Sequence, residues 1–157
     1  MFAMDVMRTS FATINPNTSL LEAVQLLLET GQRALPVLDN AGSLVGVISE
    51  GDLLHRRELG VHCPEGFWLE ALLGRDEGKL VRERTRALQV GAVMSRNPVS
   101  VDECATVDEI VGEMDRRQIS QVLVLRDAQV VGIAGRLELL VALERSLDGS
   151  EKIVRRS

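Results

Sequence analysis

The stretch LPVLDNAGSLVGVISEGDLL, residues 35–54, decides the fold of this chain. Two short aliphatic runs, at 34–38 and 44–48, flank the turn-forming residues 39–42. This order is typical of a β-hairpin, because Asp, Asn and Gly favour tight turns between strands. A helix is expected to begin at about Glu50. The stretch therefore predicts strand, turn, strand and helix in close succession.

The same succession recurs as VLVLRDAQVVGIAGRLELL, residues 122–140. The repeat begins before this succession, because Val6-Met7 recurs as Val93-Met94, 87 residues later. After the hairpin turn, equivalent residues are 86 positions apart. Because identities and pattern agree over so many positions, a whole supersecondary unit is present twice.

Each copy predicts the order β-α-β-β-α. An extended piece comes first, at 11–15 and 99–102, and the following helices begin with capping boxes at Ser19-x-x-Glu22 and Thr106-x-x-Glu109. Gly31 is placed to end the first helix. The apolar stripe expected on that helix consists of Leu20, Val24, Leu27 and Leu28.

Pro36 lies inside a predicted strand, although proline has no backbone N–H to donate to a sheet. We therefore expect this strand to lie at an edge or to be kinked.

A unit of about 50 residues rarely buries enough surface to be stable by itself, so the two copies should pack together. The predicted fold class is a mixed α/β (α+β) architecture. Two β-α-β-β-α repeats pack with pseudo-two-fold symmetry, with small sheets inside and helices outside. The predicted divisions are a first repeat at 4–54, a helical insert at 55–90, a second repeat at 91–146 and a tail at 147–157.

Composition excludes several functions. The net charge of −5 and the 3% of aromatic residues disfavour a nucleic-acid binder. No apolar run is long enough for a membrane helix, and no signal peptide is evident. Cys63 and Cys104 match no metal or redox spacing, so a cytoplasmic protein without a metal site is expected. No acid–base pair or nucleophile elbow indicates an enzyme.

The repeated residues resemble a tandem pair of cystathionine-β-synthase (CBS) domains, often called a Bateman module. The resemblance rests on DVM at 5–7, AVM at 92–94 and the two long runs quoted above, and it covers 4–54 and 91–144. Proteins of this family are regulatory; their clefts commonly bind adenine-containing ligands, and their pairs commonly dimerise. The resemblance implies a non-catalytic homodimer that binds AMP, ADP or ATP and signals to an unidentified protein.

Ser49 and Asp52 allow two interpretations. A hydroxyl and a carboxylate three residues apart form a capping box that stabilises a helix start by about 1 kcal/mol. The resemblance instead places Ser49 on a phosphate and Asp52 on a ribose, as carboxylates do in other nucleotide folds. The two interpretations are compatible, because an arriving ligand can displace a cap.

The second copy departs from this pattern. Gly135 stands in place of the serine and Glu138 in place of the aspartate, while Arg136 offers a positive charge to a phosphate. We expect the two clefts to differ in affinity, with the Asp52 cleft the stronger.

The resemblance also indicates which residues line the base end of each cleft. For any single one of them, a plain core position is the stronger alternative. They are Thr13, Ile14, Ala34, Leu35 and Pro36 in the first copy, and Ser100, Val101, Gln121 and Val122 in the second.

The insert predicts two amphipathic helices, at 67–73 and 80–88, and similar inserts in bacterial members suggest a bacterial origin. Trp68 either anchors the insert or covers a cleft or a partner subunit. His55, His62 and Cys63 lack the spacing of a metal or nucleophile site. A ligand-independent dimerisation platform remains the alternative function, and the sequence leaves the identity of the adenine ligand open.

Overall fold

The computed structural model describes residues 1–55 and 88–156. The predicted insert helices, Trp68, His62 and Cys63 lie outside these residues. The helices are α1 (Ala3–Val6), α2 (Leu20–Thr30), α3 (Glu50–His55), α4 (Val90–Val93), α5 (Val107–Arg117) and α6 (Arg136–Arg156). The strands are β1 (Ala34–Leu38), β2 (Leu44–Ser49), β3 (Ser100–Asp102), β4 (Gln121–Arg126) and β5 (Gln129–Gly135).

The chain forms two compact units whose boundaries cross the sequence repeats. The first-repeat unit consists of Ala12–Pro98, and the second-repeat unit consists of Met1–Phe11 together with Val99–Ser157. Each unit therefore contains the hairpin of one repeat and the short opening helix of the other.

In the first-repeat unit, β1 and β2 form an antiparallel pair. Ile14 adds a parallel bridge to Val37 on one side, and Ser95 adds an antiparallel bridge to Val47 on the other. The buried core lies against this sheet. It comprises Ile14, Leu20, Ala23, Leu35, Val37, Ile48, Leu53, Val90, Val93 and Met94.

In the second-repeat unit, β3 and β4 are parallel and β4 and β5 are antiparallel. Arg8 bridges Ile133 on β5, at the position equivalent to Ser95 in the other unit. The core below this sheet comprises Ala3, Ile110, Met114, Val122, Val124 and Ala134.

The opening helices are held by the same contact in both units. Met7 lies against Gly132 and Met94 lies against Gly46, so closely that a Cβ on either glycine would come within 3 Å of a methionine side-chain atom. The glycine of each Val-Gly pair is therefore needed for close approach of a neighbouring segment.

The mixed α+β prediction, with small sheets and helices, is confirmed. Gly31 ends α2 in the left-handed conformation at φ 68°. Thr106 and Glu109 form both halves of their capping box, and Ser19 accepts a hydrogen bond from the Glu22 N–H. The stripe predicted on α2 is wrong at Leu28, which is 79% exposed, because Ala23 takes part in the core instead.

The edge position expected as one alternative for the proline strand is wrong, because β1 pairs with β2 on one side and, through the bridge from Ile14 to Val37, with the segment before α2 on the other. Val47, the partner of Pro36 in this pair, directs its N–H and its C=O to Ser95 instead. The pairing of β1 with β2 therefore requires no N–H from Pro36.

Candidate functional site

The residues Ser49 and Asp52 form a complete capping box at the start of α3. The Ser49 N–H donates to Asp52 Oδ2 at 2.9 Å, and the Asp52 N–H donates to Ser49 Oγ at 3.1 Å. Both side chains are half-buried. The hydroxyl and the carboxylate that the sequence singled out are therefore side by side and partly accessible.

Sheet pairing brings the predicted base end next to this box. Ala34 is the partner of Ser49 across the β1–β2 ladder. Thr13 is exposed and immediately precedes Ile14, which bridges to β1. Thr13, Ala34, Ser49 and Asp52 thus belong to the same compact unit.

Three of the predicted base-end residues have buried side chains. Leu35 is fully buried, Pro36 is less than 2% exposed and Ile14 is 7% exposed. In this conformation their side chains are enclosed by protein, so a ligand could reach only their backbone groups.

Arg33 is a residue that the sequence reasoning missed. Its guanidinium contacts Glu50 at 3.0 Å, and its backbone carbonyl accepts a hydrogen bond from the Glu50 N–H at 3.1 Å. Because Ala34 pairs with Ser49, the preceding arginine is brought to the start of α3. The hairpin register was the signal that could have revealed it.

The second repeat keeps half of the capping box. The Gly135 N–H donates to Glu138 Oε2 at 3.0 Å. A Cβ on Gly135 would lie 3.0 Å from the Ser120 carbonyl oxygen and 3.2 Å from Glu138 Oε2. The close backbone approach explains physically why glycine suits this position and why a serine would be crowded.

The remaining predicted residues of the second repeat separate into different environments. Gln121 pairs with Gly135 across the β4–β5 ladder, and Val122 is 1% exposed and belongs to the core. Arg136 is exposed at the first position of α6.

The other predicted residues of the second repeat line two cavities in this unit. Ser100 and Val101 line a cavity of about 640 Å³ between β3 and α5. Glu138 lines a different cavity of about 300 Å³, whose walls come from α1 and α6 and include Arg8 and Arg145. Ser100 and Glu138 thus face separate spaces.

The exposed thiol of Cys104 also lines the larger cavity. Its pKa is raised by desolvation first, and then by the negative charge of Asp102 and a hydrogen bond to that carboxylate. A thiol with a raised pKa is a poor nucleophile at neutral pH. Across residues 1–55 and 88–156, no cluster of three or more His, Cys, Asp or Glu side chains is suited to a metal ion. No helix in the same part of the chain is long and apolar enough to cross a membrane.

Comparison with known proteins identifies both repeats. The model of the CBS domain family matches residues 3–58 and 90–145. A CBS domain-containing protein of Dictyostelium discoideum is 30% identical over 144 residues, which cover 91% of each chain. Several other curated relatives are longer proteins, of which this chain covers 20–30%.

Solved structures show the same fold. CBSX2 in complex with AMP aligns over 92% of this chain and 96% of its own, with 24% identity and a TM-score of 0.68; a further structure of CBSX2 is from Arabidopsis thaliana. The CBS domain pair of protein MJ0100, in complex with 5′-methylthioadenosine and S-adenosyl-L-methionine, aligns over 93% and 98%, with 22% identity and a TM-score of 0.66.

Proposed function

The chain belongs to the CBS domain family, and from this premise we propose that it is a non-catalytic regulatory module that binds an adenine nucleotide beside Ser49 and Asp52. The observation that carries the proposal is the Ser49–Asp52 pair, with a hydroxyl and a carboxylate held together beside Arg33. Support comes also from the AMP and adenosyl ligands named for similar structures.

Each polar group has a role in this proposal. The Ser49 hydroxyl and the Arg33 guanidinium donate to the phosphate, and the Asp52 carboxylate accepts from the ribose hydroxyls. Arg33 is 62% exposed and its pair with Glu50 lies at the surface. Exchanging that exposed ion pair for a phosphate contact costs little, because surface pairs contribute at most about 1 kcal/mol.

The adenine ring lies over Thr13 and Ala34 in this arrangement, and the backbone groups there read its edge. The ligand is AMP, ADP or ATP, and the Asp52 site binds it more tightly than the Gly135–Glu138 site, which lacks the hydroxyl. Binding favours one arrangement of the module over another and so passes a signal to a separate cytoplasmic protein.

Asp52→Asn tests the proposal against a matched control. Asparagine keeps an acceptor for the Ser49 N–H but loses the charge that binds ribose hydroxyls. The assay is calorimetric titration with AMP, ADP, ATP and S-adenosylmethionine, with GTP as the unrelated base. For the adenine ligand that binds the wild type, Asp52→Asn should lower the affinity roughly 10- to 100-fold.

Glu22→Gln provides the control, because Glu22 also lies three residues after a serine N-cap, with its N–H donating to Ser19 Oγ at 3.2 Å, but lines neither of the two cavities described above. It should leave the affinity unchanged. Equal effects of both substitutions on the dissociation constant, or a wild type that binds no adenine ligand, would contradict the proposal.

A dimerisation platform is the second candidate function, and one observation favours it. Along α6 the outward face is apolar, with Leu137, Leu140, Leu143 and Leu147 between 54% and 70% exposed. Leu54, at the position of the first repeat equivalent to Leu140, is also 58% exposed. Because the exposed leucine recurs with the repeat, we propose a second copy of this chain as the occupant of this face.

Sedimentation velocity tests this second candidate. The wild type should sediment as a dimer, and Leu143→Glu should give monomers without loss of thermal stability, because Leu143 is exposed. A monomeric wild type would exclude the platform. A dimer that forms without any adenine ligand bound, and that binds none, would favour the platform over the nucleotide module.

A further inference from the structure

Gln32 is the one buried polar residue in the described part of the chain, with 5% of its surface exposed. Its Oε1 accepts from the Ala12 N–H at 2.7 Å, and its Nε2 donates to the carbonyl oxygens of Ala12 at 3.2 Å and Ala34 at 3.1 Å. The side-chain amide therefore engages both backbone groups of Ala12, as a neighbouring strand would do.

The second repeat shows which interaction this amide replaces. There the Leu123 N–H donates to the Val99 carbonyl at 3.2 Å, next to the ladder between β3 and β4. The equivalent residues, 87 positions earlier, are Pro36 and Ala12. Because proline has no N–H, the equivalent hydrogen bond cannot form. The Ala12 carbonyl receives its hydrogen bond from Gln32 instead.

The residue equivalent to Gln32 completes the comparison. Ile119 occupies this position in the second repeat, where it packs against the apolar core. Buried polar groups nearly always have hydrogen-bond partners, and in the second repeat the Leu123 N–H supplies the bond that the Gln32 amide makes in the first. Glutamine occurs with proline in one repeat, and isoleucine occurs with leucine in the other.

We propose that Gln32 is a positioning residue of the candidate site, which replaces the hydrogen bond removed by Pro36 and so fixes the segment Ala12–Ile14. The inference rests on the proposed function, since the position of Thr13 matters to binding only if a ligand lies over it.

The geometry shows how the positioning works. At one end of the segment, the Ile14 N–H donates to Pro36 at 3.0 Å. At the other end Gln32 holds Ala12, and the exposed Thr13 lies between these two points. The same amide also binds Ala34, which pairs with Ser49. Gln32 thereby sets the distance between the base end and the phosphate end of the site.

A double-mutant cycle tests the replacement. Gln32→Met keeps the side-chain length and removes the three hydrogen bonds, so it should lower the melting temperature by on the order of 5 °C. Pro36→Ala supplies an N–H at position 36. In the Pro36→Ala background, Gln32→Met should lower the melting temperature by about half as much as in the wild type. Ile119→Met is the matched control and should have the smallest effect. An equal fall in melting temperature in both backgrounds would overturn the inference that Gln32 replaces the hydrogen bond removed by Pro36.

Ligand titration separates positioning from folding. AMP spans both ends of the site, whereas ribose 5-phosphate carries only the sugar and the phosphate. Well below the melting temperature, Gln32→Met should lower the affinity for AMP about tenfold and the affinity for ribose 5-phosphate less than about twofold. Equal losses for both ligands, or no loss for AMP, would overturn the positioning role. The titration uses whichever of AMP, ADP and ATP binds the wild type. A wild type that binds none of the three refutes the proposed function and the positioning role together, and the double-mutant cycle still tests whether Gln32 replaces the missing N–H.

Discussion

Replacing Gly132 by alanine should displace the N-terminal helix from the second-repeat unit. A Cβ at this position would lie 2.5 Å from Met7 Sδ and 2.8 Å from Met7 Cγ. These distances are shorter than any ordinary van der Waals contact, so the methionine must move and take α1 with it. Overpacking of this kind costs about 1–3 kcal/mol. For a chain of this length the melting temperature should fall by roughly 2–4 °C for each kcal/mol.

Thermal unfolding and limited proteolysis check this expectation. Gly132→Ala should unfold earlier than the wild type, and a protease should remove the first residues more quickly, because local release raises the open population. Met7→Ala should partly restore the stability of Gly132→Ala, since the two shortest contacts are with Sδ and Cγ of a flexible side chain.

Gly46 offers a sharp contrast. Its added Cβ would lie 2.8 Å from Met94 Sδ but also 2.7 Å from the backbone oxygen of Ser95. Trimming Met94 leaves the backbone clash in place, so Met94→Ala should not rescue Gly46→Ala. Rescue of both glycine variants, or wild-type stability in either one, would refute the reasoning from these distances.

Three further predictions follow from local geometry. Gly31→Ala should lower the free energy of unfolding by about 1 kcal/mol, and Gln118→Gly at the equivalent C-cap should raise it by a similar amount, because both backbones are left-handed, with φ 68° and 55°; denaturant melts that move both variants in one direction would contradict this. Thr106→Ala should cost about 1 kcal/mol by loss of the N-cap of α5, checked by the same melts. Alkylation of Cys104, followed by peptide mass spectrometry, should be slower at pH 8 than that of an unstructured peptide because its pKa is raised, and Asp102→Asn should accelerate it; an unchanged rate would exclude the carboxylate as a cause.

The hairpins and helix starts could be predicted from the sequence because their signals are local. The turn at 39–42 illustrates this: Asp39 Oδ1 accepts from the N–H groups of Ala41 and Ser43, and Gly42 adopts φ 84°. A side chain that satisfies its neighbours within four residues leaves its mark in a short stretch of sequence.

The unit to which each opening helix belongs could not be predicted in this way. Met7 and Met94 each follow a valine, and Gly132 and Gly46 each allow the close approach of a methionine side chain. The local pattern fits either assignment, so only the path of the whole chain decides between them.

The candidate site could be predicted in part, for a related reason. Ser49 and Asp52 are recognisable because their spacing is that of a helix start. Leu35 and Pro36 were named by position in a strand, but the direction of their side chains depends on which face of the sheet is covered. Gln32 escaped attention because its partner Ala12 lies 20 residues away.

The crossing of unit boundaries has a consequence for biosynthesis. A ribosome releases the chain from its N-terminus, and domains tend to fold as they emerge. The residues of the first-repeat unit are contiguous, so this unit can fold once Pro98 has emerged. Met1–Phe11 must wait until Ile133 has been synthesised before Arg8 can bridge to it. The segment Met1–Phe11 is thus made before the first-repeat unit but reaches its native position after that unit can fold, and in the interval it is a nascent peptide open to chaperones and proteases.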